Sequence, residues 1–388
     1  MEEKLDVAVQ AGNPDQKKLI IKEIIYPREL EAFIGFPYLL YRGNPFYVPP
    51  LKSDERKTLR LTNPAFDHCE AKYWLAYRSG KIVGRIAGII NHGFIDRWGK
   101  KYARFGWFDF KEDETIAQAL LHHVERWAKE KGMDAVHGPM GFTNFDPAGL
   151  LVDGFNQLAT LSELYNYPYY PDCIEKAGYH KEVDWIEYRI SIPKKVPEKV
   201  RQVATIVKRR SKLSVVNLNE SNSIMTYAHS IFELINVCYG HLHGMVPLTE
   251  KQIQYYTKRY LSFIRKDYVS LVVDSCGTLI AFGITMPSLS KALQKANGTL
   301  FPFGLFHILK ALRKNNTAEL CLVAIRPDYQ GKGVNALVME EMNKAFNRNN
   351  ITMAESNPEL EDNKQVQSLW SYYEAEQHKR RRCYIKYL

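Results

Sequence analysis

The segment Leu320-Cys-Leu-Val-Ala-Ile325-Arg-Pro-Asp-Tyr-Gln330-Gly-Lys-Gly-Val-Asn335-Ala constrains this chain more than any other. An apolar run ends at Ile325, and Pro327 brings no N–H to continue a strand ladder. Two glycines follow within a short turn, Gln330 to Gly333. Behind them Val334, Leu337, Val338, Met342 and Ala345 recur at helical spacing. The reading is a buried strand over Ala318–Ile325, a turn, and a helix over Gly333–Arg348. That order aims backbone N–H groups and the positive end of a helix at one spot. Gly331 and Gly333 remove the Cβ atoms that would hold a large anion off the backbone. Lys332 adds charge, and a pyrophosphate is the natural guest. The turn lacks the Gly-Lys-Ser/Thr ending of a nucleotidase loop. With a single Gly-x-Gly it is not a dinucleotide fingerprint either.

The remaining chain reads as two halves of similar order. With 388 residues there is room for two ordinary domains. Pro193 and Pro197 bracket the best linker. The division is a flexible N-terminal tail over 1–18, a first domain over 19–193, a linker over 194–200 and a second domain over 201–388. In the first, a strand Leu19–Ile25 precedes a helix Arg28–Tyr41. A hairpin turns at Ser79-Gly80-Lys81, and a strand Ala103–Phe110 leads into a strong helix over Glu112–Lys131. In the second, a strand Leu213–Leu218 precedes helices Ser223–Tyr239 and Thr249–Phe263. A hairpin follows around Ser275-Cys276-Gly277, then an insertion over 288–316, the strand–turn–helix segment, a helix Asn363–Tyr373 and a last strand Arg382–Tyr387. Each half is an α+β unit with a mixed twisted sheet flanked by helices.

Composition narrows the function classes. Hydrophobic residues at 45% and charged residues at 25% belong to a globular protein. No apolar run reaches the length of a membrane span, so no membrane insertion is expected. Met1–Gln10 lacks a signal-peptide pattern, and the expected location is cytoplasmic. Six cysteines stand far apart, with no CxxC and no Cys/His pair at zinc spacing. They read as reduced thiols, and no metal is expected. A formal charge of +10 draws on Lys208-Arg209-Arg210 and on His378-Lys379-Arg380-Arg381-Arg382. Such an excess suits an anionic ligand, a nucleic acid or an acidic partner, or simply a solvated basic surface. No nucleic-acid-binding motif accompanies it, so nucleic acid is not the expected partner.

The strand–turn–helix segment resembles the CoA-binding motif of the GNAT (Gcn5-related N-acetyltransferase) superfamily, Q/R-x-x-G-x-G/A after a strand ending V/I-x-P. Gln330 and Gly333 match, and Asn335 stands where Gly or Ala is usual. The stretches Glu355–Asn363, His137–Met140 and Gly149–Phe155 are similar to a group of long, two-domain bacterial GNAT-like proteins, and Tyr169–Tyr179 resembles the terminal GNAT segment. The resemblance implies two tandem GNAT-like domains and an acyl-CoA cosubstrate, acetyl-CoA or another acyl-CoA. Val323, Ala324 and Ile325 would hold the pantetheine arm. Gln330 and the amides of Gly331, Lys332, Gly333, Val334 and Asn335 would hold the pyrophosphate.

By the same resemblance the reaction is acyl transfer to an amine, on a small molecule or a peptide, by direct attack. Glu319 or Glu355 would take the amine proton directly or through water. The Tyr that protonates the thiolate in this superfamily is replaced by Trp370, and Tyr373 is the substitute. At the matching place in the first half stands Lys111-Glu112-Asp113-Glu114, without glycine. Its carboxylates complement the helix dipole and repel phosphate, so the first domain is read as degenerate. The acceptor is expected in a groove between the halves. A non-catalytic acyl-CoA-binding scaffold and an aminoacyl or fatty-acyl transferase remain as alternatives. The sequence leaves the oligomeric state open.

Overall fold

A computed structural model of the chain describes residues 18–218, 223–261 and 264–388. All of the tail expected over 1–18, except Lys18, lies outside them. In the first half, β1 (Leu19–Glu23), α1 (Pro27–Leu40) and α2 (Lys52–Leu59) precede the hairpin β2 (Cys69–Arg78) and β3 (Lys81–Asn91). A short α3 (His92–Trp98) leads to β4 (Tyr102–Phe110), α4 (Glu114–Glu130), β5 (Ala135–Gly138) and β6 (Leu150–Asp153). Then come α5 (Tyr169–Lys176) and β7 (His180–Ser191). The second half runs α6 (Glu198–Ser211), β8 (Ser214–Val215), α7 (Ala228–Tyr239), α8 (Glu250–Arg259), β9 (Val269–Val273) and β10 (Leu279–Pro287). It continues with α9 (Ser290–Ala296), α10 (Gly304–Arg313), β11 (Thr317–Ile325), α11 (Asn335–Arg348), β12 (Met353–Ser356) and β13 (Glu359–Leu360). It ends with α12 (Lys364–Gln367) and β14 (Glu374–Tyr387).

Local chemistry explains the strongest elements. Ile116, Leu120, Val124 and Trp127 put one apolar stripe of α4 into the core. The Asp113 side chain caps its start by accepting from Thr115 N at 2.9 Å, and Gly132 takes the left-handed φ of +73° just past its end. The helix expected over Asn363–Tyr373 is shorter. Only Lys364–Gln367 is α-helical, and Ser368–Tyr372 tightens to a 3-10 turn. Leu369 and Tyr372 pack towards α11 there, whereas Trp370 packs on the core around Ile190 and Phe346. One regular helix face cannot serve both.

All the long strands lie in one sheet of 14, ordered β1-β2-β3-β4-β5-β14-β7-β12-β11-β10-β9-β8, with β13 on β7 and β6 on β14. The two sheets expected from sequence are therefore joined edge to edge. The junction is an exchange. The first half's last strand, β7, pairs with β12 of the second, Ile190 opposite Ala354. The second half's last strand, β14, pairs with β5 of the first, Tyr384 opposite Gly138. The two exchanged strands pair with each other from Glu374–Ser191 to Ile385–His180. The strand expected over Arg382–Tyr387 thus begins eight residues earlier, and the basic run lies inside it. Lys379 and Arg381 are only 1% exposed. The charge read as a source of surface positivity is spent within the sheet, where Arg380 and Arg382 pair with Asp184.

Helices cover both faces. Beneath α4 the core holds Phe105, Phe110 and Tyr170, and it also holds Tyr384 from the far end of the chain. On the second half α6 and α11 pack on β9 and β10, and α7 covers the opposite face. A further core spans the halves: Leu289 and Leu293 of the insertion sit among Tyr41, Tyr47, Leu151 and Tyr165.

Candidate active site

In the second half, β11 and β12 run parallel from Thr317–Met353 to Leu320–Ser356 and separate there. Cys321, the next residue, has no partner on β10 and forms a bulge that re-aims the strand. The first half repeats the device. Its β4 and β5 pair only from Tyr102–Ala135 to Arg104–His137, and the β3–β4 register shifts between Arg85 and Ala87. The two halves nevertheless end their central strands differently.

In the first half the end of the central strand is held by side chains. Phe110 N–H donates to Tyr170 Oη at 3.0 Å, and its carbonyl accepts from Tyr169 at 2.6 Å. Asp113 then caps α4 and pairs with Arg78. A Cβ on Gly106 would lie 2.5 Å from the Met140 carbonyl, and a cavity of about 50 Å³ remains between the parted strands, lined by Gly106, Trp107, Asp109, Met140, Leu150 and Tyr165. The carboxylates of Glu112, Asp113 and Glu114 stand at this helix start, where they would repel a phosphate.

In the second half the turn is exposed, and α11 has no side-chain cap and no acidic residue in its first turn. Gly331 and Gly333 take φ of +71° and +79°, which favour glycine. Among the described residues the amides of Gly331, Gly333, Val334 and Asn335 make no hydrogen bond, and Lys332 N reaches Tyr329 O only at 3.4 Å. Space beside Gly331 is open. Gly333 has a second reason to be glycine, because a Cβ there would meet Val203 of α6 at 2.9 Å. Gln330 turns back and donates to the Ile325 carbonyl at 3.0 Å.

The strand edge above this turn is held by side chains that sequence reading missed. Tyr239 of α7 donates to the Val323 carbonyl at 2.8 Å and accepts from Val323 N–H at 3.3 Å. Cys238 donates to the Ile325 carbonyl at 3.2 Å, and Asn357 donates to the Cys321 carbonyl at 2.6 Å. Ala324 is buried against the α7 core. No periodicity or motif marks Tyr239. It is visible only once α7 is laid beside the opened edge.

Glu319 and Glu355 are brought together as direct register partners on β11 and β12. Glu319 is buried and accepts from Ser288 Oγ at 2.7 Å, Ser290 Oγ at 3.3 Å and Leu161 N at 3.2 Å. Burial pushes its carboxyl above the usual range. Glu355 lies 3.3 Å from Lys379 Nζ. The Leu161 amide comes from the first half and Ser288 from the insertion, so both halves furnish this pocket of carboxylates. Tyr373 stands apart from them. It packs between the α11 core and the core around Phe346, and burial pushes its hydroxyl up to about 12. The insertion and the Tyr-rich α8 pack against the first half: Gln294 donates to the Tyr47 carbonyl at 3.0 Å, and Tyr256 stacks on Phe145 at 4.9 Å.

A bulged central strand parted from its parallel neighbour, followed by a turn and a helix, occurs once in each half. These features define the class: the chain has the tandem GNAT fold. It aligns with the tandem GNAT protein from the clavulanic acid biosynthesis pathway at a TM-score of 0.57 and 13% identity, over 95% of this chain and 98% of that one. In sequence it is similar to Protein YghO of Escherichia coli (strain K12), 29% identical over 381 residues, 95% of each chain. It is also similar to the bacterial ceramide synthase of Caulobacter vibrioides (strain NA1000 / CB15N), 25% identical over 315 residues, 78% of this chain and 79% of that one. No family model matches the chain.

Proposed function

We propose that this chain is an acyl-CoA-dependent N-acyltransferase whose second half binds the cosubstrate. The observation that carries this reading is the uncapped start of α11, with the bare amides of Gly331, Gly333, Val334 and Asn335 beside an opened strand edge. Pyrophosphate would take those amides and Lys332, and the pantetheine arm would run along Val323–Ile325. The amine would attack the thioester carbonyl directly, the C–S bond would break, and the thiolate would leave with a proton. Glu319, whose carboxyl is raised by burial, is the better base of the two carboxylates, because Glu355 is held by Lys379. It would receive the amine proton by way of Ser288.

Two tests follow. Titration calorimetry with acetyl-CoA compares the wild type with Lys332→Glu. Lys332 is exposed, so its reversal leaves the fold alone, whereas any side chain at 333 would clash with α6. Loss of a charge-assisted phosphate contact is worth about 1.5–3 kcal/mol, so binding weakens about 10- to 100-fold. Equal binding would move the cofactor elsewhere. The second test addresses Tyr239, which occupies the edge that the pantetheine amides need. Tyr239→Phe frees the Val323 amide and carbonyl, and acyl-CoA binds about 2- to 10-fold tighter, the value of one hydrogen bond. Unchanged or weaker binding would show that the arm does not enter at Val323.

Acetyl is the simplest acyl group for this site. A long-chain reading has one specific observation in its favour. Phe301, Phe303 and Phe306 are 77%, 72% and 64% exposed at the start of α10, which packs beside Leu289 and the Ser288–Glu319 pair. Lys310, Arg313 and Lys314 flank that apolar face, the composition of a helix that lies on an anionic lipid surface. The ceramide synthase relative agrees with a lipid-like amine. Turnover of acetyl-CoA against palmitoyl-CoA, with a long-chain amino alcohol in anionic vesicles, separates the two.

A further inference from the structure

Four side chains that play no part in this reading converge where the exchanged strands meet. His137 lies on β5, Glu182 on β7, Cys383 on β14, and His243 in the loop after α7. Glu182 Oε2 is 3.0 Å from His137 Nδ1, 3.4 Å from Cys383 Sγ and 3.5 Å from His243 Nε2. One donor atom from each of the four falls within 4.8 Å of all the others. A tetrahedral ion with bonds of about 2.0–2.3 Å separates its ligand atoms by roughly 3.3–3.7 Å. Two of the three distances to Glu182 lie within that range, and the third, to His137, is 0.3 Å short of it.

Hydrogen bonding alone leaves the cluster unsatisfied. His137 and Cys383 are buried, and the buried His243 Nε2, which faces Glu182, has no hydrogen-bond partner among the described residues. One carboxylate oxygen, Glu182 Oε2, is shared between the His137 imidazole and the Cys383 thiol. Two nitrogens, one carboxylate oxygen and one thiolate form a borderline donor set, and their two negative charges cancel a divalent ion. Arg104 lies nearby, but its guanidinium is committed to the carbonyls of Gly141, Phe142 and Gly244.

We propose that His137, Glu182, His243 and Cys383 bind a structural zinc ion that fastens the second half's last strand and the α7 loop into the first half. Four protein ligands leave no open position, so the ion holds structure and does no chemistry on substrate. Metal binding displaces the Cys383 thiol proton to solvent, and no redox step is involved. The test is metal content by plasma mass spectrometry on the full chain, purified without chelator. Wild type carries about one zinc per chain, the stoichiometry of a closed four-ligand site. His243→Ala and Cys383→Ser each carry less than about a tenth of that. Cobalt substitution of the wild type gives the sulfur-to-cobalt charge-transfer band and tetrahedral visible bands, and Cys383→Ser abolishes the charge-transfer band. Because His243 sits in a surface loop, His243→Ala keeps its circular dichroism and shows a lower Tm that no longer responds to chelator. Wild type that is free of metal and takes up no cobalt overturns the proposal, as does full zinc content in both variants.

Discussion

A chain that stops after Tyr373 loses the native state of both halves, although the deleted residues lie almost 200 positions beyond the end of the first. The reason is the place of β14 in the sheet. It is an internal strand, hydrogen-bonded to β5 on one side and to β7 on the other. Cys383, Tyr384 and Ile385 are at most 4% exposed, and Tyr384 completes the core under α4. Each buried side chain of this size stabilises by about 1.5–3 kcal/mol, and a domain is held by only about 5–15 kcal/mol in total. Removing β14 also strips one edge of β5 and one edge of β7 of their ladders, leaving buried amides and carbonyls without partners. The same logic applies to residues 18–193 expressed alone, which lack a strand at their centre. Limited proteolysis and amide exchange measure the outcome. A truncated chain with native protection in β2–β5 would show that the exchange is ornamental. Co-expressed 18–193 and 194–388 are expected to recover a folded complex, because each supplies the other's missing strand.

How far this arrangement was legible can be traced residue by residue. The strong helix over Glu112–Lys131 and the strand–turn–helix over Ala318–Arg348 are local: an apolar period, a capping Asp113 and two glycines at positive φ suffice to place them. The tandem GNAT fold was implied by the resemblance of Gln330–Gly333 and of stretches such as Glu355–Asn363 to that superfamily, beside the repeated order of elements in the two halves. Which sheet a final strand joins is a non-local choice. Residues 374–387 alternate well enough for a strand, yet Lys379 and Arg381 stand on the buried side, because Glu187 waits on the neighbouring strand. A sequence reader counts those cations as surface. Tyr239 escaped for a similar reason: at the end of an amphipathic helix, a tyrosine that bonds to another strand's backbone looks like any other core aromatic. The four residues His137, Glu182, His243 and Cys383 have no common spacing, and only the strand exchange makes them neighbours.

The charged cluster at the same junction sets how stability varies with pH. Glu187 accepts from Arg381 Nε at 2.7 Å and lies 2.8 Å from Lys379 Nζ, and all three are at most 1% exposed. Glu163 lies 3.6 Å from Arg381 Nε, which is already taken. The two cations therefore hold the Glu187 carboxyl down to about 2, whereas burial pushes Glu163 up to about 8. A lowered carboxyl contributes stability above its unfolded value of 4.5, and that contribution disappears as pH falls towards 2. A raised carboxyl does the opposite: its contribution is complete below 4.5 and is lost as pH rises through 8. Glu187→Gln removes the carboxylate shared by two buried cations, leaving Lys379 to Glu355 and Arg381 to Glu163, and costs about 3–5 kcal/mol at neutral pH. Replacing Glu187, Lys379 and Arg381 together by Leu, Met and Leu recovers most of that loss, because the desolvation of three charges is removed with their attraction. Glu163→Gln mimics the protonated acid and flattens the alkaline decline, so the variant gains on the wild type between pH 5 and about pH 8. Urea midpoints across that range decide the matter. A Glu163→Gln curve parallel to the wild type would mean that Glu163 is ionised at neutral pH, with Arg381 shared equally between the two carboxylates.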